Sequence, residues 1–391
     1  MRFRANVCVG AIFFILICNN KSYNKQRLEI TMKKLFEPVV VGRLALRNRF
    51  IRSATFEYAL DETETFSDKL LPMYEKLADN GVGAIITGMI GVDENSRALP
   101  SMIKAYGSTF VSEFIKLAER VHGLGAKLII QINHCGQKAG HIDNGGLPFG
   151  PCDLETPQGK KVRGMNYDEI HSIVTRFAEA AVRCKQAGAD AVQIHAAHGY
   201  LLSEFLNPYF NKRTDVYGGN IEGRAKLVFE VYDAVRSAVG TNYPVWIKIN
   251  CKDLTEPSIS PEDFLWVCRE LDKRGIDAIE VSGGASVTAQ STCSPLIKKE
   301  KDEGYFGSEA LRVAEMASAS VISVCGYRTP SVLEQWLNKG KIEAISLCRP
   351  LISEPHLIDR WKQGDTRKAR CISCSQCFNP ELACKVFKES V

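Results

Sequence analysis

The stretch "DAVQIHAAHGYLL" (residues 190–202) has the pattern of a buried strand followed by a turn. Side chains alternate between the two faces of a strand, so Val192 and Ile194 share one face. Gln193 and His195 then share the opposite face. A helical pattern ends at a glycine just before this strand, and such a helix-then-strand order is typical of parallel α/β sheets.

The same strand-and-helix unit recurs on both sides of this stretch. Eight short apolar or β-branched runs occupy residues 49–55, 83–89, 127–133, 190–196, 244–250, 277–283, 321–326 and 343–349. Helical patterns with apolar residues every three or four positions separate them, and the first, at 67–81, has Ser67 as its expected cap. Eight such units favour an α/β fold of the (β/α)8 TIM-barrel type over a doubly wound sheet. The segment 37–48 predicts an N-terminal hairpin that caps the barrel floor.

The composition is that of an ordinary globular protein. The chain has 391 residues, of which 45% are hydrophobic and 24% charged, and its net charge is +5. Basic residues form no stripe and do not alternate with aromatic residues, so the sequence indicates no nucleic-acid partner.

The chain divides into three predicted segments, namely a leader or misassigned start at 1–31, the barrel at 32–365 and a Cys-rich tail at 366–391. The first segment contains an apolar run at 7–18, which is too short to span a bilayer. Three interpretations of it stay open: an upstream start codon with Met32 as the true beginning, a signal or anchor, and a disordered leader.

Fourteen cysteines without a framework spacing predict a reducing compartment, and we expect a cytoplasmic protein. Four of them, Cys371, Cys374, Cys377 and Cys384, are spaced C-x2-C-x2-C-x6-C in the tail. This spacing predicts an iron–sulfur cluster or a structural zinc site, with four unrelated thiols as the alternative.

Polar side chains occur near the carboxyl ends of three predicted strands. By the alternation rule, Gln131, His195 and Lys248 point into the barrel, and active sites of this fold lie at that end. Burying a lysine ammonium group without a partner of opposite charge costs roughly several kcal/mol of folding free energy, as for other buried ions. A bound polar ligand would relieve that cost.

His195, His198 and Tyr200 come together if the strand ends near residue 196 and a turn begins there. Two imidazole donors suit an oxygen that gains negative charge in a transition state. A phenol suits proton delivery to a nearby carbon. Zinc is the rival interpretation of the two histidines, but the sequence offers no obvious third ligand nearby.

The exits of the last two strands, "VCGYRTP" (324–330) and "SLCRPLISEP" (346–355), predict a phosphate site. Gly326 allows close approach of the backbone, and Arg349 supplies positive charge. No G-x-G-x-x-G motif follows a predicted strand, so a cofactor with a single phosphate is favoured over a dinucleotide held by a Rossmann unit.

Over residues 33–360 the chain resembles the old yellow enzyme family of FMN-dependent oxidoreductases. The segments that carry the resemblance are "LFEPVVVGRLALRNRFIRSAT" (35–55), "QINHCGQKA" (131–139), "IHAAHGYLLSEFLNPYFNKRTDVYGGNIEGR" (194–224) and "SLCRPLISEP". The long central segment is specific to this family.

The resemblance implies that FMN lies across the barrel mouth, which makes 32–365 an FMN-binding domain. The implied cofactor contacts are Ser53, Ala54, Thr55, Met89, Gln131, Lys248, Gly326, Cys348 and Arg349. Gln131 would bond the pyrimidine ring, and the Lys248 cation would stabilise the anionic reduced flavin. The last three residues would hold the phosphate, although Cys348 stands where a glycine is usual.

The implied reaction passes hydride from NAD(P)H through the flavin to the β-carbon of a small-molecule enone or enoate. His195 and His198 would hold the substrate carbonyl oxygen, and Tyr200 would protonate the α-carbon. Phe56 stands where relatives place a Thr or Cys, and Tyr58 is expected to enter the substrate pocket.

The tail resembles that of the dienoyl-CoA reductase and trimethylamine dehydrogenase branch, which carries a 4Fe-4S cluster at this point. This resemblance implies an alternative function as an iron–sulfur flavoprotein dehydrogenase or demethylase, or as a dienoyl-CoA reductase-like enzyme. Such an enzyme would use an external redox protein as its electron partner, and an oligomer is compatible with either function.

Overall fold

The computed structural model describes residues 32–61, 66, 68–143, 145–156, 159–284, 297–381 and 383–387. The expectations for residues 1–31 and for a cap at Ser67 lie outside these residues. The described residues from Lys33 onward belong to one compact unit.

The strands follow the predicted runs closely. They are β1 (Val39–Val41), β2 (Leu44–Leu46), β3 (Phe50–Arg52), β4 (Ala84–Gly91), β5 (Lys127–Asn133), β6 (Phe149–Gly150), β7 (Leu154–Glu155), β8 (Lys161–Gly164), β9 (Ala191–Ala196), β10 (Val245–Asn250), β11 (Ala278–Ser282), β12 (Ser320–Val324) and β13 (Ile342–Leu347). Eight of them close into a barrel in the order β10-β11-β12-β13-β3-β4-β5-β9, and all neighbours in it are parallel. The predicted (β/α)8 barrel is therefore confirmed.

Helices lie between the barrel strands and after the last one. They are α1 (Leu70–Asp79), α2 (Phe110–Gly123), α3 (Tyr167–Gln186), α4 (Leu201–Leu206), α5 (Ile221–Val239), α6 (Pro261–Lys273), α7 (Gly307–Met316), α8 (Pro330–Lys339), α9 (Arg349–Ser353) and α10 (Leu357–Lys362). No helix within the described ranges is long and apolar enough to cross a bilayer.

Local signals explain several helix starts. A capping box between Asn166 and Glu169 opens α3, and Ser260 caps α6 ahead of Pro261. In contrast, α1 begins three residues after Ser67, and Lys69 makes no side-chain capping hydrogen bond. Packing of the apolar face of α1 against the barrel therefore supports a helix that lacks a local start signal there.

The predicted hairpin of β1 and β2 closes the amino-terminal end of the barrel. Its inward side chains pack with the lowest layer of barrel side chains, which includes the fully buried Trp246. The Gly42 N–H donates to Ser320 Oγ at 2.9 Å. Gly42 has a φ of +49°, and a Cβ there would lie 2.6 Å from the Asp277 carbonyl oxygen, so only glycine fits.

A small sheet of β6, β7 and β8 follows β5 and was not predicted. Its strands have two, two and four residues, too few for a pattern of alternation to be visible in the sequence. The segment reaches back to the site end of the barrel, where Lys160 Nζ donates to the Gln137 carbonyl oxygen at 3.3 Å.

Candidate active site

The carboxyl ends of the barrel strands surround a cavity of about 250 Å³. All the catalytic and cofactor-binding residues predicted from the sequence line it, namely Ser53, Ala54, Thr55, Met89, Gln131, His195, His198, Tyr200, Lys248, Gly326, Cys348 and Arg349. Sequence reasoning missed other lining residues, among them Ser282, Ser346 and Cys325. Ser282 is the last residue of β11 and Ser346 the last but one of β13, and both face inward, so the alternation rule could have identified both.

The two histidines and the tyrosine meet because β9 ends at Ala196 and a turn follows. The ring centroid of His195 lies 5.1 Å from that of His198 and 5.0 Å from that of Tyr200. His198 has a left-handed backbone with a φ of +64°, and its N–H donates to Asn250 Oδ1 at 3.0 Å. Tyr200 directly precedes α4, and its ring is the third of the group at the cavity wall.

Both imidazoles lie in surroundings that favour the neutral form. Burial lowers the pKa of His195 well below its ordinary value, and the nearby cations of Lys248 and Lys138 lower it further. Burial also holds the pKa of His198 well below its ordinary value. The Ala197 N–H donates to His195 Nδ1 at 3.2 Å, so the proton of the neutral ring lies on Nε2.

A hydrogen-bonded network of buried polar side chains fills the barrel below the cavity. Lys248 Nζ lies 3.1 Å from Glu280 Oε1 and donates to Ser53 Oγ at 2.8 Å. The Ser53 hydroxyl donates to Glu280 Oε1 at 2.9 Å. Gln193 Nε2 donates to Glu280 Oε2 at 2.9 Å, and Gln131 Nε2 donates to Gln193 Oε1 at 2.7 Å. Ion pairing with Glu280 thus compensates the buried Lys248 charge, which the sequence had left without a partner.

Lys138 is a further cation at the site that sequence reasoning missed. Its Nζ donates to the His198 carbonyl oxygen at 2.7 Å and lies 5.4 Å from the centroid of the Tyr200 ring. It belongs to the short 3-10 helix Gly136–Lys138 that follows β5. The sequence shows that Lys138 follows a barrel strand, but it does not show that the Lys138 side chain contacts His198 after the next barrel strand.

The end of the cavity near β12 and β13 has features that fit a phosphate group. Gly326 has a φ of +82°, and a Cβ there would lie 2.9 Å from ring atoms of Tyr305. Ser346 Oγ is buried and has no hydrogen-bond partner within the described part of the chain. Arg349 Nη1 donates to the Ser373 carbonyl oxygen at 3.2 Å and to Ser375 Oγ at 3.1 Å, which joins this end of the cavity to the tail.

Aromatic side chains form one wall of the cavity. Phe56 and the tail residue Phe378 line it, with their ring centroids 6.2 Å apart. Tyr58 lies behind them, 4.8 Å from Phe56 and 5.7 Å from Phe378 between ring centroids. Tyr58 therefore supports this wall from outside the lining.

The four tail cysteines, Cys371, Cys374, Cys377 and Cys384, surround one small cavity of about 20 Å³ that Arg349 and Ser375 also line. Burial raises the pKa of Cys371, and burial together with neighbouring thiols raises that of Cys377 to about 12. Among the residues that the structure describes, no three His, Cys, Asp or Glu side chains are placed to hold a metal ion. The cluster or zinc site stays a prediction.

Glu204 is a buried carboxyl group beneath the site. Its Oε1 accepts the Gln137 N–H at 3.0 Å, whereas Oε2 is buried with no hydrogen-bond partner among the described residues. Burial raises the pKa of Glu204 to about 8. The carboxyl group is therefore mostly protonated in the folded protein at neutral pH.

We expect Glu204→Gln to stabilise the fold at pH 8 and to have little effect at pH 4.5. The unfolded carboxyl group loses its proton near its ordinary pKa of 4.5, while the folded group keeps it up to about pH 8. Stability is therefore lost as the pH rises through this window, at about 1.4 kcal/mol per unit of pKa shift. Urea unfolding at both pH values tests this, with the substitution of the exposed Glu222→Gln as the control. An equal effect of Glu204→Gln at both pH values would contradict the expectation.

The fold and the comparisons with known proteins place this chain among the old yellow enzymes. The model of the NADH:flavin oxidoreductase / NADH oxidase family matches residues 34–368, and the chain belongs to this family.

Curated relatives agree with this assignment. The chain is 32% identical over 351 residues to a metal reductase of Desulforamulus reducens and 29% identical over 345 residues to an NADH oxidase of Thermoanaerobacter brockii. These matches cover 88% and 87% of this chain but only 51% and 52% of the relatives, so the chain spans about half their length. An NADPH dehydrogenase of Bacillus subtilis is 30% identical, and the match covers 83% of this chain and 92% of that protein.

Solved structures show the same fold. A complex of 2-naphthoyl-CoA reductase with 2-naphthoyl-CoA matches with a TM-score of 0.80 at 24% identity, covering 86% of this chain and 53% of that one. The old yellow enzyme homologue from Zymomonas mobilis matches with a TM-score of 0.73 at 23% identity, covering 86% and 94%.

Proposed function

We propose that this protein uses NAD(P)H and FMN to reduce the C=C bond of α,β-unsaturated carbonyl compounds. The observation that carries the proposal is the neutral imidazole of His195 packed between the neutral imidazole of His198 and the phenol of Tyr200 at the wall of the cavity. Hydrogen-bond donors beside a proton donor are what reduction of an enone requires. The family assignment supports the flavin and the nicotinamide reductant.

The residues around the cavity fit FMN. Gln131 and Lys248 present amide and ammonium groups at one side, where a flavin ring system carries N–H and C=O groups. Ser346 Oγ, which has no described partner, and Gly326, which leaves no room for a side chain beside Tyr305, lie at the other end. Together with Cys348 and Arg349 they would hold the phosphate. Bound FMN supplies a hydride acceptor for NAD(P)H and a hydride donor for the alkene.

His195 and His198 would hold the substrate carbonyl oxygen. The Nε2–H of His195 is a fixed donor because the Ala197 N–H occupies Nδ1. A neutral donor binds the oxygen in the ground state and more strongly once negative charge develops there. Burial and the nearby lysines keep both rings neutral at physiological pH, so the donor does not depend on small pH changes.

Tyr200 would deliver the proton to the α-carbon. A phenol that gives up a proton leaves a phenolate, which is costly in a buried site. Lys138 Nζ lies 5.4 Å from the centroid of the Tyr200 ring and stabilises that negative charge. The same lysine holds the His198 carbonyl oxygen, so one cation supports both parts of the site.

A second function is favoured by the cysteines of the tail. The four thiols surround one cavity whose lining residues Arg349, Ser375 and Cys377 also line the main cavity. The four cysteines would hold a 4Fe-4S cluster there, and that group would supply one-electron transfer. On this alternative, the protein is an iron–sulfur flavoprotein dehydrogenase or demethylase, or a dienoyl-CoA reductase-like enzyme, with an external redox protein as its partner. The many free thiols support a cytoplasmic location for either function, and assembly into an oligomer is compatible with both.

The decisive experiment is anaerobic purification followed by FMN titration and turnover. We expect a flavin absorption spectrum, NAD(P)H oxidation that depends on an added enone such as cyclohexenone, and a saturated ketone product. Failure to take up FMN would refute the proposal. Flavin that NAD(P)H reduces but no activated alkene reoxidises would refute the ene-reductase part alone.

Iron and acid-labile sulfide analysis separates the two functions. Enone reduction by iron-free protein excludes the cluster-dependent function. About four irons per chain, together with loss of turnover in Cys374→Ala, would favour that function instead. The buried Cys184→Ala serves as the control, because Cys184 packs in the core away from the tail.

A further inference from the structure

We propose that Glu280 is a positioning residue that orients Gln131 and limits the positive charge of Lys248 beneath the flavin. The inference rests on the proposed FMN site and adds a residue that the sequence did not indicate. Glu280 lies on β11, its side chain is fully buried, and it is outside the lining of the cavity. It therefore acts on the cofactor only through other side chains.

The carboxylate of Glu280 determines which groups donate and which accept in the hydrogen-bonded network above it. An ionised carboxylate accepts hydrogen bonds and donates none. Its Oε1 therefore accepts a hydrogen bond from the Ser53 hydroxyl and pairs with the Lys248 ammonium group. Its Oε2 accepts a hydrogen bond from the Gln193 amide N–H. Gln193 is left with its carbonyl oxygen facing Gln131, which must present its own N–H in return.

The orientation of the Gln131 amide follows from this chain of contacts. One N–H of Gln131 is used by Gln193, so the second N–H and the carbonyl oxygen are available at the cavity that Gln131 lines. A donor and an acceptor side by side match an imide edge, which offers a carbonyl oxygen next to an N–H. An amide at position 280 would keep its oxygen toward Lys248 and Ser53 and turn its NH2 toward Gln193, which would reverse the orientation of both glutamine amides.

The same carboxylate limits the charge that the cavity experiences. The Lys248 side chain is 4% exposed and that of Glu280 is 0% exposed, so little water screens the pair. Glu280 therefore reduces the positive potential of Lys248 at the flavin. Its removal leaves an ammonium group with less compensation, which favours a negatively charged reduced flavin over the neutral oxidised one.

The test compares three variants reconstituted with FMN. Glu280→Gln removes the negative charge beside Lys248 and the acceptor-only group that fixes the direction of the hydrogen bonds. Gln193→Met interrupts the link to Gln131 and keeps the ion pair. Asp277→Asn changes a carboxylate to an amide at the floor end of the same strand, where Asp277 pairs with Arg236 and Arg43, and serves as the matched control. The measurements are the dissociation constants of oxidised FMN and the flavin midpoint potential, and neither depends on turnover.

We expect oxidised FMN to bind about tenfold more weakly to Glu280→Gln and to Gln193→Met. In Glu280→Gln the reduced flavin is expected to keep its affinity, so the midpoint potential rises by about 30 mV, the two-electron equivalent of a tenfold ratio. Gln193→Met is expected to weaken the binding of oxidised and reduced FMN equally, so the midpoint potential stays at the wild-type value. Asp277→Asn is expected to lower stability and to leave both flavin constants unchanged.

Unchanged FMN affinity in Gln193→Met overturns the orienting role, and an unchanged or lower potential in Glu280→Gln overturns the charge role. If Glu280→Gln fails to fold, Glu280→Asp replaces it. The shorter carboxylate keeps the charge, and we then expect weaker FMN binding with a wild-type potential; wild-type affinity overturns the proposal. Wild-type protein that takes up no FMN would instead refute the proposed function.

Discussion

Tyr200→Phe is expected to lower the rate of enone reduction by about 10²–10⁴-fold, which is the usual contribution of a positioned general acid. The substitution removes the phenol hydroxyl and keeps the ring, whose centroid lies 5.0 Å from that of His195. The reduction of flavin by NAD(P)H requires no proton from Tyr200, so its rate is expected to match that of the wild type. Stopped-flow measurement of the two half-reactions separates these effects.

The matched control for this substitution is Tyr209→Phe. Tyr209 lies in the loop after α4, outside the cavity lining, and its ring packs on Phe210. We expect wild-type rates in both half-reactions for this variant. If Tyr200→Phe reduces enones at the wild-type rate while NAD(P)H oxidation continues, the proton comes from another group.

His195→Phe is expected to lower kcat/KM for the enone by about 10²–10³-fold, the effect of removing one donor from an oxyanion site. Phenylalanine keeps an aromatic ring against His198 and Tyr200, so the packing of the three rings is largely preserved. What is lost is the Nε2–H that the Ala197 contact fixes toward the site. The oxidative half-reaction with enone in excess is the measurement that shows the loss.

His195→Asn provides the complementary variant. An asparagine amide carries an N–H donor but no ring, so we expect it to recover part of the activity that His195→Phe loses. Equal rates for the Asn and Phe variants would show that the ring, and not the donor, matters at this position.

The barrel was predictable because its signal is local and repeated. Each barrel strand is marked by a short run rich in apolar or β-branched residues, as in Lys127–Asn133, and a helix with an apolar face follows. The carboxyl-end rule of the fold then placed Gln131, His195 and Lys248 together without any knowledge of their distances. All three line the same cavity.

The partners of these residues were not predictable, because they depend on pairing between distant strands. Glu280 lies 32 residues after Lys248 in the sequence and contacts it because the two residues are paired between the neighbouring strands β10 and β11. Ser53 reaches Lys248 over a separation of 195 residues. The alternation rule places Glu280 on the same inward face as Ser282, but it does not identify the cation that Glu280 contacts. Lys138 likewise reaches His198 only through the fold.

The hairpin that closes the barrel floor has a consequence for synthesis on the ribosome. Gly42 emerges early, yet its partner Ser320 follows 278 residues later. At about 5–20 residues per second, that delay is roughly 14 s to 1 min. Throughout this interval the apolar side chains of residues 39–46 have no finished barrel to cover them. We therefore expect a nascent chain of this protein to expose this apolar hairpin until the seventh barrel strand has been translated.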